Sequence, residues 1–312
     1  MKFAFRCIRP FAVAGLTATL ALAAHALDVK FEAVAPNVYA YVGDTEGRTY
    51  ENEALNANIG LVVTPAGALL IDPGATFQSA RQIAEAAKKV TPQPIKWVIN
   101  TGGQDHRWMG NGYFKAQGAE IIAHASAEAD MKARGPEHLK ANGPVLKDKL
   151  DGTQIVLPTR WLPGADTTLD LGGVKVQVLH RGGGHTPGDV LVWLPQSGVV
   201  FTGDVVYVDR ILGLHPVSKT KTWVQSFEAL EALSPKVVVP GHGRVTTLAQ
   251  AQKDTGHLLK ALRAHMGQAV EAGTDMSTAI KTFDAAPYQH LKHVDVWLPQ
   301  LANRTYLEME QE

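Results

Sequence analysis

Four apolar runs in this chain each stop at a short loop that carries histidine or aspartate. Ile95–Asn100 leads into Gln104-Asp105-His106. Val174–Leu179 leads into Gly184-His185-Thr186-Pro187-Gly188-Asp189. Val199–Gly203 leads into Asp204, and Val237–Pro240 leads into Gly241-His242-Gly243. Each run has the length and β-branched content of a buried strand. Side chains at the ends of adjacent strands can converge on one point, and glycine lets the backbone approach it closely. Zinc takes imidazole and carboxylate ligands, and a zinc site with an open position activates water. Singly, each residue has a plainer reading. A lone histidine at a strand end is more often structural, and an aspartate in Thr-Gly-Asp can cap a turn. Four such ends in one chain carry the argument.

The rest of the chain sets the frame around those ends. Val38–Val42 reads as a strand, and 58–64 and 68–72 flank Pro65-Ala66-Gly67 as a hairpin. Apolar spacing predicts a helix over Phe77–Val90, stopped by Thr91-Pro92. A helix over Gly110–Gln117 and a strand over Glu120–His124 follow, and then a Lys-, Gly- and Pro-rich stretch, 125–165, reads as a helical insertion with loops. Val190–Leu194 with Gly198–Thr202 makes a second hairpin, Thr222–Leu233 a helix, and the tail from Leu248 is mostly helical. Strands alternate with helices, but hairpins interrupt the alternation. That mixture predicts an α/β fold of two mixed sheets with outer helices, not a doubly wound parallel sheet.

Composition narrows the function. With 312 residues, 45% of them hydrophobic, the chain can bury a large core. Lys+Arg and Asp+Glu are both 30, so no basic excess suggests nucleic acid. Lys2, Arg6 and Arg9 precede an apolar run from Phe11 to Ala24, and Ala24-His25-Ala26 is a small-x-small cleavage site. Residues 1–26 therefore read as a secretory signal peptide, and 27–312 as one domain of a periplasmic or secreted protein, free of the membrane after cleavage. Cys7, the one cysteine, leaves with the signal. Disulfide and thiolate chemistry are then excluded, and any metal must be held by His, Asp, Glu or amide oxygen.

Taken together, Gly184-His-Thr-Pro-Gly188, Phe201-Thr-Gly-Asp204 and Pro240-Gly-His-Gly243 resemble three signature motifs of the metallo-β-lactamase superfamily, in the family's order. Leu69-Leu-Ile-Asp-Pro-Gly74 resembles its early strand-turn motif. The tail, with Asn303-Arg-Thr-Tyr306, is similar to that of exported zinc metallohydrolases of quinoprotein relay systems. The resemblance spans about Val38 to Val245 and implies a four-layer αβ/βα sandwich. It also implies a metal-dependent hydrolase acting on a small-molecule ester, thioester or lactam-like substrate.

The first motif departs from the family pattern Thr-His-x-His-x-Asp-His-x-x-Gly-Asn. Thr101–Asn111 has the same length. Aligned without a gap, its four ligand positions hold Gly102, Gln104, His106 and Arg107. Aligned on the Asp-His pair, it keeps Asp105 and His106 at the cost of one deletion and one insertion. The second register is favoured because it preserves two metal-binding side chains. In either register the two leading histidines are gone.

The resemblance then implies a metal set of Asp105, His106, His185, Asp204 and His242. One zinc ion is expected at the second position, with the first empty or weakly occupied, and Asp105 holding or deprotonating the attacking water. Asp72 is expected to set the early turn and to touch the site only indirectly. His215 is as much a loop histidine as a pocket residue, and His124 and His180 read as core or supporting groups. His290 and His293 read as surface residues. Trp108 and Trp161 could wall a cleft, whereas Trp223 reads as packing. The rival expectation is a non-catalytic metal- or ligand-binding member of the same fold, for which Gly102 and Gly103 are what a lost site leaves behind.

Overall fold

The computed structural model describes Met1 and residues 27–312; the signal-peptide reading lies outside the described residues. Seven strands form the first sheet in sequence order: β1 Glu32–Ala35, β2 Val38–Tyr41, β3 Ile59–Thr64, β4 Gly67–Ile71, β5 Ile95–Ile99, β6 Glu120–His124 and β7 Arg160–Leu162. The first four pair antiparallel, and β4 to β7 pair parallel. The second sheet holds β8 Asp166–Leu171, β9 Val174–His180, β10 Val190–Leu194, β11 Val199–Phe201 and β12 Val237–Val239, in the reverse order β12-β11-β10-β9-β8. Strand β8 has the polar sequence Asp-Thr-Thr-Leu-Asp-Leu and carries no strong apolar signal.

Helices cover both outer faces. They are α1 Phe77–Val90, α2 Asn111–Ala116, α3 Glu128–Leu146, α4 Thr220–Leu233, α5 Leu248–Ala251, α6 His257–Glu271, α7 Met276–Thr282 and α8 Val294–Met309. The alternation of side chains in a strand explains the layering. On β4, Leu69 and Ile71 face the second sheet, where they join Val176, Val192 and Phe201. Ala68 and Leu70 point the other way and pack with Ala80 and Ile83 of α1. The far face of the second sheet gives Val200 and Val238 to a third core with Phe227 of α4, Leu262 of α6 and Leu301 of α8. The order is helix, sheet, sheet, helix, the four-layer arrangement the motifs implied. Gly60 on β3 is what lets the sheets close. A Cβ there would lie 2.4 Å from the Phe201 ring of the opposite sheet.

Strand β11 runs parallel to β12, and β9 and β11 are both antiparallel to β10. The C-terminal ends of β9, β11 and β12 therefore emerge together, so the loops carrying His185, Asp204 and His242 share one edge.

At the same level His124 ends β6 and His180 ends β9, and their rings stack at 3.8 Å between centroids. Burial first, and the neighbouring His180 ring second, push His124 down to about 4; burial also lowers His180. Both stay neutral in the folded state at neutral pH. A base depressed below its unfolded value near 6.5 contributes stability that is complete above 6.5 and is lost as pH falls toward 4. His124→Gln should flatten the loss of urea resistance between pH 7 and pH 5 relative to the parent. Equal slopes for parent and variant would show that the stacked pair does not contribute.

Candidate metal centre

Asp204 lies at the centre of the site. It follows β11 in a short 3-10 turn, is 1% exposed, and receives side chains from three directions. His106 Nε2 lies 3.1 Å from its Oδ2, His242 Nε2 lies 3.2 Å from its Oδ1, and His185 Nε2 lies 3.9 Å from its Oδ2. The ligand atoms of His106, Asp204 and His242 all fall within 4.8 Å of one another. Four of the five expected side chains thus surround one point.

The backbone fixes which nitrogen each imidazole presents. His242 Nδ1 is 2.8 Å from the carbonyl of Asn56, which can only accept, so the proton sits on Nδ1 and the Nε2 lone pair points toward Asp204. His185 does the same with the carbonyl of Gly213 at 3.1 Å, and its buried Nε2 has no hydrogen-bond partner. Burial is the first cause that holds both rings neutral, His185 pushed down to about 4 and His242 to about 3. Two imidazole lone pairs aimed at a carboxylate are repulsive unless a cation lies among them. That donor set, neutral nitrogen plus carboxylate oxygen, fits one zinc ion.

His106 differs. Its Nδ1 lies 3.0 Å from Arg48 Nη2, which can only donate, so Nε2 carries the proton and donates to Asp204. To act as a ligand, His106 must move that proton to Nδ1, where Asp105 Oδ1 waits at 3.4 Å.

Asp105 itself is not among the converging groups, and this corrects the expectation that it binds metal or activates water. Its carboxylate pairs with Arg48 and accepts from Asn142 Nδ2 at 2.8 Å, Gln104 Nε2 at 3.0 Å and the His106 amide at 2.9 Å. Burial alone would raise its pKa, but Arg48 and His106 outweigh burial and hold it well below the usual carboxylate range. A carboxylate so saturated and so acidic is a poor base for pocket water. It can orient His106 instead.

The place next to Asp204 is taken by Arg107. Arg107 is the residue that the gapless register puts at the last ligand position. Arg107 Nη2 lies 2.8 Å from Asp204 Oδ1, Nε 3.2 Å from Oδ2, and Nη1 2.9 Å from Asp72 Oδ2. The carbonyls of Asn58 and Gly241 accept its remaining protons at 3.1 and 3.0 Å. Asp72 is held at φ 65°, in the left-handed region, and also accepts from the Thr101 amide and hydroxyl, each at 2.7 Å. It reaches the site only through Arg107, as its motif suggested.

The lost first position is also physically filled. A Cβ at Gly102 would lie 2.4 Å from Asp189 Oδ1, and one at Gly103 2.3 Å from Asp130 Oδ2. Gln104 donates its amide N–H to Asp105, and its oxygen accepts from Arg134 Nη1 at 3.2 Å.

Other residues resolve as follows. His215 lines the cavity in front of Asp204, edge-on to His185 at 4.8 Å. Trp108 is fully buried and donates to the Gly103 carbonyl; Trp161 packs beside it, and Trp223 packs in the core under His185. None of the three lines the cavity. The wall residues missed from sequence are Arg48, Tyr207, Arg210, and Trp297 and Gln300 of α8. Only Arg107 left a sequence signal, its place in the gapless register. His290 bonds Asp254 at 2.8 Å, and His293 packs on Trp297 at the start of α8.

The family profile described as Metallo-beta-lactamase superfamily matches residues 52–242. A curated relative, metallo-beta-lactamase type 2 of Elizabethkingia meningoseptica, is 25% identical over 232 residues, 73% of this chain and 84% of its own. Among solved structures, a metallo-beta-lactamase from Pontibacter korlensis superposes with a TM-score of 0.58 at 23% identity, covering 74% of this chain and 99% of its own. The sec-alkylsulfatase Pisa1 from Pseudomonas sp. superposes with a TM-score of 0.71 at 16% identity, covering 89% of this chain but half of that protein.

Proposed function

This chain belongs to the metallo-beta-lactamase superfamily, and from that membership we propose that it is an exported hydrolase carrying one zinc ion, held by His106, Asp204 and His242. The observation that carries this is the convergence of the ligand atoms of His106, Asp204 and His242 within 4.8 Å of one another. A bound zinc would supply a Lewis acid that polarises a carbonyl-type oxygen and makes water acidic. The chain's own residues do the rest. Asn56 and Gly213 carbonyls fix the His242 and His185 imidazoles, Arg107 fixes Asp204, and Asp105 can accept a hydrogen bond from the Nδ1 proton that His106 must carry to bind metal. The His215 ring lines the cavity, and burial holds it neutral, so it can hydrogen-bond a ligand there.

Esters, thioesters and lactams fit this chemistry equally, and the relatives named for lactamase and alkylsulfatase activity support hydrolysis as the reaction class. Export rests on the pattern of residues 1–26. The test is a periplasmic preparation of the full-length gene product. Its intact mass should begin at Leu27, elemental analysis should find close to one zinc per chain, and a panel of chromogenic esters, thioesters and lactams should include one turned over and silenced by chelator. Two tightly held zinc ions, or none, would overturn the metal assignment. Zinc present with no turnover across the panel would favour the non-catalytic binding reading.

A further inference from the structure

Helix α3, from the Lys-, Gly- and Pro-rich insertion, turns a polar stripe inward. Asp130, Arg134, His138 and Asn142 recur at every fourth residue, so they lie along one side of the helix. Asp130 and His138 are 9% exposed and Asn142 is 5% exposed. Apolar anchors flank the stripe: Met131 packs with Trp108, and Leu146 with Ala54 and Ala75. A buried polar stripe costs stability unless its groups find partners. The partners lie largely in one place, the loop 103–105 that leads into His106.

Arg134 holds Asp130 through Nε and Nη2, each at 2.6 Å, and its Nη1 donates to Gln104 Oε1 at 3.2 Å. Gln104 in turn donates to Asp105 Oδ1 at 3.0 Å. A Cβ at Gly103 would strike Asp130, so the missing side chain is what admits the helix to the loop backbone. Asn142 Nδ2 donates to Asp105 Oδ2 at 2.8 Å, and because a carboxylate only accepts, the amide nitrogen must be the atom that faces it.

The two oxygens of Asp105 divide their partners. Oδ1 takes Arg48, Gln104 and the His106 amide, and it is the oxygen 3.4 Å from His106 Nδ1. Among the described residues Oδ2 takes Asn142 alone. Asn142 therefore holds the carboxylate against rotation. Without it, Oδ2 is a buried acceptor lacking a donor, and the carboxylate gains by turning to share Arg48 or Gln104, which draws Oδ1 away from His106.

We propose that Asn142 is a positioning residue for the metal centre: acting through Asp105, it sets the His106 ring toward Asp204, with α3 as the rigid frame. The proposal rests on the one-zinc reading for the role of His106 as a ligand; the orientation of the ring itself needs no metal.

The test is zinc titration against a competing chelator on the parent, Asn142→Leu, Asp105→Asn and the double variant. Imidazole nitrogen–proton correlation spectra of the metal-free proteins accompany it. Asn142→Leu keeps the volume and removes the donor. Zinc affinity should fall about tenfold in Asn142→Leu, as for loss of a ligand's supporting partner. The same substitution should cost less than about twofold in the Asp105→Asn background, because two residues acting through one contact are not additive. In the spectra, the His106 signals, assigned by their loss in His106→Gln, should move in Asn142→Leu while those of His185 and His242 stay in place. Affinity unchanged in a folded Asn142→Leu, equal losses in both backgrounds, or unmoved His106 signals would each overturn the proposal and leave the hydrolase reading intact. A parent that binds no zinc sinks the one-zinc reading instead, and the metal-free spectra then decide the positioning role alone. Should Asn142→Leu fail to fold, Asn142→Gln takes its place. It displaces the donor by one methylene and should weaken zinc severalfold, and unchanged affinity with unmoved His106 signals there would overturn the proposal too.

Discussion

Replacing Arg107 by methionine should destabilise the folded protein by roughly 3–5 kcal/mol, the usual cost of removing one partner from a buried ion pair. Methionine fills much of the volume, so the loss is electrostatic and not a cavity effect. It strands Asp72 and Asp204, 2% and 1% exposed, and leaves the Asn58 and Gly241 carbonyls without a donor. Burial already raises Asp72, and Asp204 stays ionised because Arg107 and the surrounding histidines outweigh its burial. With the arginine gone, both carboxylates shift toward their protonated forms. In the parent the depressed Asp204 carboxylate contributes stability above its unfolded pKa; in the variant, with both folded pKa values raised, the deficit is largest at neutral pH and shrinks as acid protonates the two carboxylates. The melting temperature should drop by roughly 10 °C at neutral pH. Arg107→Lys keeps the charge but reaches fewer of the five contacts, and should fall between parent and methionine variant. A methionine variant within about 1 kcal/mol of the parent in urea unfolding would show that the guanidinium does not hold the site together.

Much of this was legible in the chain, for physical reasons. Strands buried on both faces read as continuous apolar runs, so β4, β5, β6, β11 and β12 stood out, and α1 was marked by its apolar spacing and its stop at Thr91-Pro92. Strand β8 was missed because its outward residues are polar and only Leu169 and Leu171 face the core. The His185, Asp204 and His242 loops were legible because glycine and proline mark strand ends, and the structure brings those three side chains together. In 101–111, ligand chemistry argued for the Asp105-His106 pair and gave no reason to look at Arg107. Packing decided for Arg107: a five-donor fork satisfies Asp72, Asp204 and two carbonyls at once, and no local pattern reports contacts 35 to 134 residues away. Arg48, Arg210 and Trp297 were invisible for the same reason, since loops and the last helix meet the site only in three dimensions.

His242→Ala should abolish tight metal binding, whereas His185→Ala should leave most of the metal in place. The ligand atoms of His106, Asp204 and His242 lie within 4.8 Å of one another, while His185 Nε2 stands 3.9 Å from the nearest Asp204 oxygen and is not part of that group. A three-residue set has no ligand to spare, so losing His242 or His106 should weaken zinc by more than the ~10–100-fold that follows loss of a ligand's supporting partner. Asp105→Asn supplies that milder case. It removes the negative charge at 3.4 Å that stabilises the Nδ1 proton of a metal-bound His106, and affinity should fall about 10–100-fold with the protein still folded. Acid should release the metal from the parent as its imidazoles protonate, since ligands must be neutral to bind. Elemental analysis after dialysis, with zinc titrations against a competing chelator, ranks the variants. The expected order of retained affinity is parent, His185→Ala, Asp105→Asn, then His106→Ala and His242→Ala. Retention in His242→Ala with loss in His185→Ala would place the ion on the opposite side of Asp204, among the residues left by the degraded motif.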